Sequence, residues 1–415
     1  MPVRPTLTIL ASLLAGLLAS PLPALATADE QLLAAARAAQ PAVIESLKAM
    51  VSIESGTMDM PGLVKMTDYA ESRLKALGLQ VERSPSSTGK SEVLVARATG
   101  NGRRKLMLIA HLDTVYWPGT LASQPYKQEG NKLYGPGIAD DKGGVAVILH
   151  TLAILKAAGW TNYAQLTVLF NADEESGSSG SGETIATLAD VHDVVLSYEP
   201  TAAPDPGVLL SAAGVAEVVM TVKGRSSHAG AAPDQGRNAL VEAAFQVGQT
   251  TDIAKGIPGA QLNWTTLNAG KVRNQIPELA VAGGDVRLTA AGASDKLLAA
   301  LQAQAAASKR VPETTVEFQL GVGRPPFVGG ERTLALAKKA QAIYAELGGR
   351  ALSIHPASGG GTDAGFANRS GKAVVLESLG LPGWGYHARD EYIDLDSIVP
   401  RLYLSTRLLM DLGRE

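Results

Sequence analysis

The sequence predicts an α/β chain with a mostly parallel sheet, interrupted by a small inserted α+β domain. Three observations carry this reading. Strand-like and helix-like runs alternate from Asp29 to Glu199, the order changes to β-α-β-β-α-β near Gly214, and the first rhythm returns at Thr333. In the first stretch, helical apolar spacing covers Asp29 to Val51 and Leu63 to Leu77, the second ending at Gly78. Short aliphatic runs at Leu79–Arg83, Glu92–Ala98 and Lys105–Ala110 read as strands, Gly143–Ala158 as a long helix, and Gln165–Asn171 as a buried strand. A helix over Gly182–Leu188 and a strand over Asp193–Ser197 complete this half. The middle stretch gives strand Val215–Val222, helix Asn238–Ile253, strands Leu262–Asn268 and Leu279–Leu288, helix Ala293–Ala307 and strand Thr314–Leu320, the order of a ferredoxin-like unit. The last stretch reads as a helix from Thr333 to Leu347, short strands near Ala351–Ile354 and Ala373–Glu377, and a helix from Ile398. The expected organisation is therefore a discontinuous α/β domain over 27–213 and 326–415, split by an inserted domain over 214–325.

Composition narrows the function classes. A chain of 415 residues, 46% hydrophobic and 19% charged, buries a sizeable core. A net charge of −3 leaves no basic footprint for nucleic acid or an anionic membrane surface. Arg4, the apolar run Leu7–Leu18, Pro21, Pro23 and the small residues Ala24–Ala26 read as a signal peptide over 1–26, cleaved after Ala26. The run is too short to span a bilayer comfortably, so a periplasmic or secreted protein with no membrane anchor after cleavage is expected. The absence of cysteine is compatible with an oxidising compartment and supplies no disulfide framework.

The chemistry-bearing residues are scattered. His111 and Asp113 follow the third strand, Asp140 and Asp141 sit in a glycine-bearing loop at a helix start, Glu174–Glu175 follow a buried strand, Glu199 follows another, and His387 lies in Gly-Tyr-His-Ala. In parallel sheets ligands collect beyond the carboxyl ends of the strands, where three of these segments lie. Imidazole and carboxylate together suit a hydrolytic zinc centre, and the number of carboxylates allows two metals. Each piece alone has an ordinary explanation: a loop histidine, a helix cap, a solvated acidic turn. Adjacent Glu174 and Glu175 point apart if extended, so one can bind metal while the other acts as a base. Asp113 stands where it can orient the His111 ring. His150 and His192 read as structural or surface residues, and His355 has no assigned role.

Taken in order, His111-Leu-Asp113, Gly137-Ile-Ala-Asp140-Asp141-Lys-Gly143, Asp173-Glu174-Glu175, Tyr198-Glu199-Pro200, Arg225-Ser-Ser-His228-Ala-Gly230 and Gly385-Tyr-His387 resemble the M20 family of zinc aminoacylases and carboxypeptidases. Within it the chain is most similar to bacterial glutamate carboxypeptidases that act on folates. The resemblance implies two zinc ions per subunit bridged by Asp140, with His111 and Glu199 on one and Glu175 and His387 on the other. It implies Glu174 as general base, Asp113 as the residue orienting His111, and a homodimer in which His228 reaches the neighbouring subunit's site to stabilise the oxyanion. It also implies substrate contacts from Arg287, Arg324, Asn274 and the loop around Gly360, suited to a C-terminal carboxylate. The expected activity is hydrolysis of the amide to a C-terminal amino acid, glutamate above all, in folate-like, N-acyl or peptidyl substrates. The alternatives are an N-acyl amino acid amidohydrolase or dipeptidase of the same family, and a non-catalytic protein that kept the fold.

Overall fold

The computed structural model describes residues 27–290 and 292–415, so the leader predicted at 1–26 lies outside the described residues. A six-stranded sheet forms the centre, in the spatial order Gln80–Pro85, Glu92–Thr99, Gln165–Asn171, Lys105–His111, Val194–Ser197, Val374–Leu376. The last four run parallel and the first two are antiparallel additions at one edge. Both faces are covered. Along Lys105–His111, Leu106, Leu108 and Ala110 join one core, while Met107 and Ile109 join the other. That two-residue alternation buried on both sides is why the strand reads as an unbroken apolar run. Helices Glu30–Val51, Lys142–Ala157 and Ile398–Leu412 pack on the first face, and Gly182–Ala189 with Ala364–Ala367 on the second.

Within the Lys142–Ala157 helix, His150 is buried and its Nε2 lies 2.9 Å from Ser46 Oγ on the first helix. Burial, reinforced by the charge of Arg73, pushes the imidazole down to about 4. An unfolded chain with an ordinary histidine near 6.5 binds the proton first, so this contribution is complete above pH 6.5 and is lost as pH falls toward 4. We expect about 3 kcal/mol of unfolding free energy to disappear over that window, and His150→Gln to flatten the slope in denaturant titrations run at several pH values. An unchanged slope in the variant would remove His150 as the cause.

The inserted unit has its own antiparallel sheet, ordered Ala260–Ala269, Leu279–Leu288, Gly214–Lys223, Thr315–Arg324, backed by helices Ala239–Thr250 and Ala293–Ala307. This is the β-α-β-β-α-β order expected from the sequence. Its core, from Ala216 to Phe318, is separate from that of the parallel sheet. The predicted helix to Ile253 ends at Thr250, because Thr250 and Thr251 turn their hydroxyls back onto helix carbonyls and a 3-10 turn over Ile253–Gly256 follows. A further small sheet was not foreseen. Strands Gly383–Trp384, Tyr392–Asp394, Lys132–Tyr134 and Lys127–Glu129 pair in that order, joining the C-terminal segment to the approach to Asp140.

Candidate metal centre and active site

Three of the four parallel strands deliver the site. His111 ends its strand, Glu174 and Glu175 form a 3-10 turn beyond Asn171, and Glu199 lies two residues beyond Ser197. The small sheet brings the fifth residue, His387, across to them. Its loop begins at Gly385 with φ 78°, and His387 itself sits at φ 62°, a left-handed conformation that a side-chain-bearing residue adopts at a cost.

His111 Nε2 is 3.0 Å from Asp140 Oδ1 and 3.7 Å from Glu199 Oε1. His387 Nε2 is 3.3 Å from the other Asp140 oxygen and 3.1 Å from Glu175 Oε2. Two trios therefore form, His111–Asp140–Glu199 and Asp140–Glu175–His387, each with its ligand atoms within 4.8 Å of one another and with Asp140 common to both. Histidine nitrogen and carboxylate oxygen at this spacing match the donor set of hydrolytic zinc sites.

The charge balance is that of a cation site. Burial drives Glu175 up to about 7, with the charge of Asp140 adding to it, and burial likewise raises Glu174 and Glu199. Hydrogen bonds to Asp140 and Glu175 lift His387 to about 10. Asp140, held between both imidazoles, overcomes its burial and lies below the ordinary carboxylate range. Crowded carboxylates that resist ionising together are what divalent ions relieve.

The surroundings fix these ligands. His111 Nδ1 lies 3.0 Å from the backbone carbonyl of Asp113 and 3.4 Å from its carboxylate, so the carbonyl makes the closer contact to the ring. The Asp113 carboxylate instead accepts from the Glu174 and Glu175 amides at 3.1 Å each and from Thr57 Oγ1 at 2.8 Å, setting the acidic turn. Asp141 is the helix cap, accepting from the Gly144 amide at 3.1 Å and the His111 amide at 3.3 Å. The helix cap and the carboxylate shared by the two trios thus fall on neighbouring residues rather than competing for one.

A cavity of about 740 Å³ opens over the trios, lined by Asp140, Glu174, Glu175, Glu199, Arg287, Arg324 and His387 among others. A hollow of about 870 Å³ beside the first helix contains none of these residues.

The model of peptidase family M20/M25/M40 matches residues 107–411, a span that contains both trios. Carboxypeptidase G2 of Pseudomonas sp. (strain RS-16) is 46% identical over 387 residues, covering 93% of this chain and 92% of that protein. The chain belongs to peptidase family M20/M25/M40. It is a metal-using hydrolase of that family. Aminopeptidase PepT from Bacillus cereus has the same fold, with a TM-score of 0.71 at 20% identity, covering 90% of this chain and 98% of its own. So does the YXEP protein of Bacillus subtilis, described as a dinuclear metal binding peptidase of the M20 family, with a TM-score of 0.67 at 15% identity over 91% and 99% of the two chains.

The remaining predicted residues divide. Arg287, Arg324 and Gly360 line the cavity, but the Gly360 amide donates to Ser358 Oγ at 3.1 Å. His228 and Asn274 are not among the residues lining it. They lie together on the inserted unit, in the two-residue ladder Ser227–His228 with Gln275–Ile276 and the bond from the Ala229 amide to the Asn274 carbonyl. His150 and His192 are buried structural residues, the latter held by Leu188 and Thr167. His355 packs beside Gly207, where a Cβ would meet its ring at 2.3 Å.

Sequence reasoning missed Glu391. Its buried carboxylate accepts from the amides of Gly137 and Ala139 at 2.8 Å and of Asp140 at 3.0 Å, pinning the loop that carries the shared ligand. It also missed Asp363, which holds Asn171 at 2.7 Å and Ser178 behind the acidic turn. Their only trace in the sequence is that both acids lie near segments already singled out.

Proposed function

We propose that this chain is an exported, homodimeric carboxypeptidase with two zinc ions per subunit, which hydrolyses the amide to a C-terminal glutamate in folate-like, N-acyl or peptidyl substrates. The observation that carries the reading is Asp140 shared between two ligand trios, with Glu174 beside them on the same turn as the ligand Glu175. His111 and Glu199 would hold one ion and Glu175 and His387 the other. Bound there, divalent ions acidify water and polarise the scissile carbonyl. Glu174 takes the proton from the attacking water as the new C–O bond forms, and returns it to the leaving amine as the C–N bond breaks.

Other residues position the substrate. Arg287, on the cavity wall, suits the terminal carboxylate. Tyr386 lines the cavity, and Trp384, largely exposed, lies with its ring 5.7 Å from it, an edge-on pair that a flat acyl group fits. His228 Nδ1 accepts from the Gly230 and Ala231 amides at 3.2 and 3.0 Å, so in the neutral ring the proton resides on Nε2. That leaves an outward N–H donor of the kind an oxyanion requires, supplied in this reading by the partner's His228. Exposed Leu240, Val241, Leu267, Val272 and Leu279, all on the inserted unit over 214–325, support the dimer. The catalytic domain is then 27–213 with 326–415, and the leader 1–26 directs export to the periplasm or beyond.

A second reading within the family, an N-acyl amino acid amidohydrolase or dipeptidase, is favoured by Leu209 and Val215, apolar residues on the cavity wall. The test is a panel on zinc-loaded protein: one acyl group joined to glutamate, aspartate and neutral amino acids, then glutamate joined to pteroyl, acetyl and aminoacyl groups. Glutamate is expected to give the highest kcat/KM by at least about tenfold, the size of one well-made charged contact. Equal rates across the leaving groups would sink the glutamate assignment.

A further inference from the structure

Arg324 does not behave as a side chain waiting for substrate. It is buried, its Nη1 lies 2.6 Å from Glu174 Oε1 and donates to the Gly361 carbonyl at 2.7 Å, and its Nη2 donates to the Glu174 carbonyl. One guanidinium thus grips the side chain and the backbone of the same residue. Both terminal nitrogens are committed and Nε, though unpartnered, is buried, whereas bidentate recognition of a carboxylate needs an accessible pair of N–H groups.

The backbone that carries Arg324 is also immobilised on the parallel-sheet side of the molecule. Gly361 is bare where a Cβ would stand 3.1 Å from Arg324 Cδ, and Gly365 where one would meet the Pro325 carbonyl at 2.0 Å. Immediately afterwards Phe327–Val328 pairs with Ser211–Ala212. Withdrawing the arginine would leave the Glu174 carboxylate buried without its cation, an arrangement that low-dielectric surroundings penalise. Arg287 shares the cavity wall with Arg324 but differs otherwise: its side chain is partly exposed, and among the described residues it is tied only to its strand neighbour Asp285, at 3.0 and 3.2 Å.

We propose that Arg324 is a positioning residue that holds the Glu174 carboxylate in its working orientation, leaving the grip on the substrate's terminal carboxylate to Arg287. The inference rests on the reading of Glu174 as general base. It assigns the two arginines separate kinetic signatures, because holding the base acts on turnover while holding the substrate acts on binding.

The experiment compares Arg324→Met, Arg324→Lys and Arg287→Met, zinc-loaded, on an N-acyl glutamate that the wild type hydrolyses, with metal content and free-glutamate inhibition measured for each. Arg324→Met is expected to lower kcat about 100-fold with KM and glutamate inhibition within about threefold of wild type and bound metal unchanged, and Arg324→Lys to recover at least about tenfold of that loss. Arg287→Met is expected to raise KM and the glutamate inhibition constant together. If Arg324→Met instead raises KM and weakens glutamate inhibition while kcat is retained, the proposal is overturned. Should Arg324→Met fail to fold, Gly361→Ala, whose Cβ displaces the arginine stem, must show the same fall in kcat at constant KM, and a KM effect there overturns the proposal equally. Glu174→Gln run alongside separates the two readings: full activity in that variant defeats the base assignment, whereas an inactive Glu174→Gln with an Arg324 effect on KM alone defeats only the arginine's role.

Discussion

Glu174→Gln is expected to keep both metal ions and lose between about 10² and 10⁴ in kcat, the range over which a positioned general base contributes. The substitution preserves shape, and Glu174 belongs to neither ligand trio, so the metal content should equal that of the wild type. The carboxylate is held by Arg324, with Nη1 2.6 Å from Oε1, and the amide that replaces it keeps the shape but cannot accept the proton. Turnover and metal stoichiometry measured on one preparation decide the matter. A wild-type rate would assign the base elsewhere, and loss of metal would mean that Glu174 is a ligand.

Asp140→Ala should do the opposite, removing metal and activity together. Asp140 is the residue common to both trios, so one substitution weakens two sites, whereas Glu199→Ala or His387→Ala strips a ligand from only one. On the two-zinc reading proposed above, bound zinc is expected to fall from two per chain to below one. Because ions that bind only the folded state stabilise it by about 4 kcal/mol when present at a thousand times their dissociation constant, the melting temperature should fall with them. Chelator should lower the melting temperature of the wild type and leave that of Asp140→Ala unmoved. A variant that still binds two ions would show that the carboxylate between the imidazoles is not shared.

What the sequence disclosed and what it hid follow from range of interaction. His111, Glu174–Glu175 and Glu199 were legible because each ends an apolar run that has to be a buried strand, and the carboxyl ends of parallel strands share one edge. The inserted unit was legible from the order of its elements. The division of labour between Asp140 and Asp141 was legible only through the family resemblance, since by local pattern either can cap a helix; in the fold it is Asp140 that turns to the histidines and Asp141 that caps. The small sheet escaped because strands of two and three residues carry no periodicity. Arg324 looked like a free cation because its partner lies 150 positions away, and Glu391 was invisible because its partners are backbone amides, which every residue possesses.

Glu391 gives the small sheet a further meaning. It stands one residue before Tyr392 in that sheet, and its carboxylate is the acceptor for three amides of the Asp140 loop, while His387 hangs from the connection between the same strands. Local opening of this patch would therefore release His387 and unpin Asp140 in one motion. Dissociation of metal and exposure of the Gly137, Ala139 and Asp140 amides to solvent become a single excursion, so their hydrogen-exchange rates report how often the centre comes apart, even in an enzyme that is never unfolded.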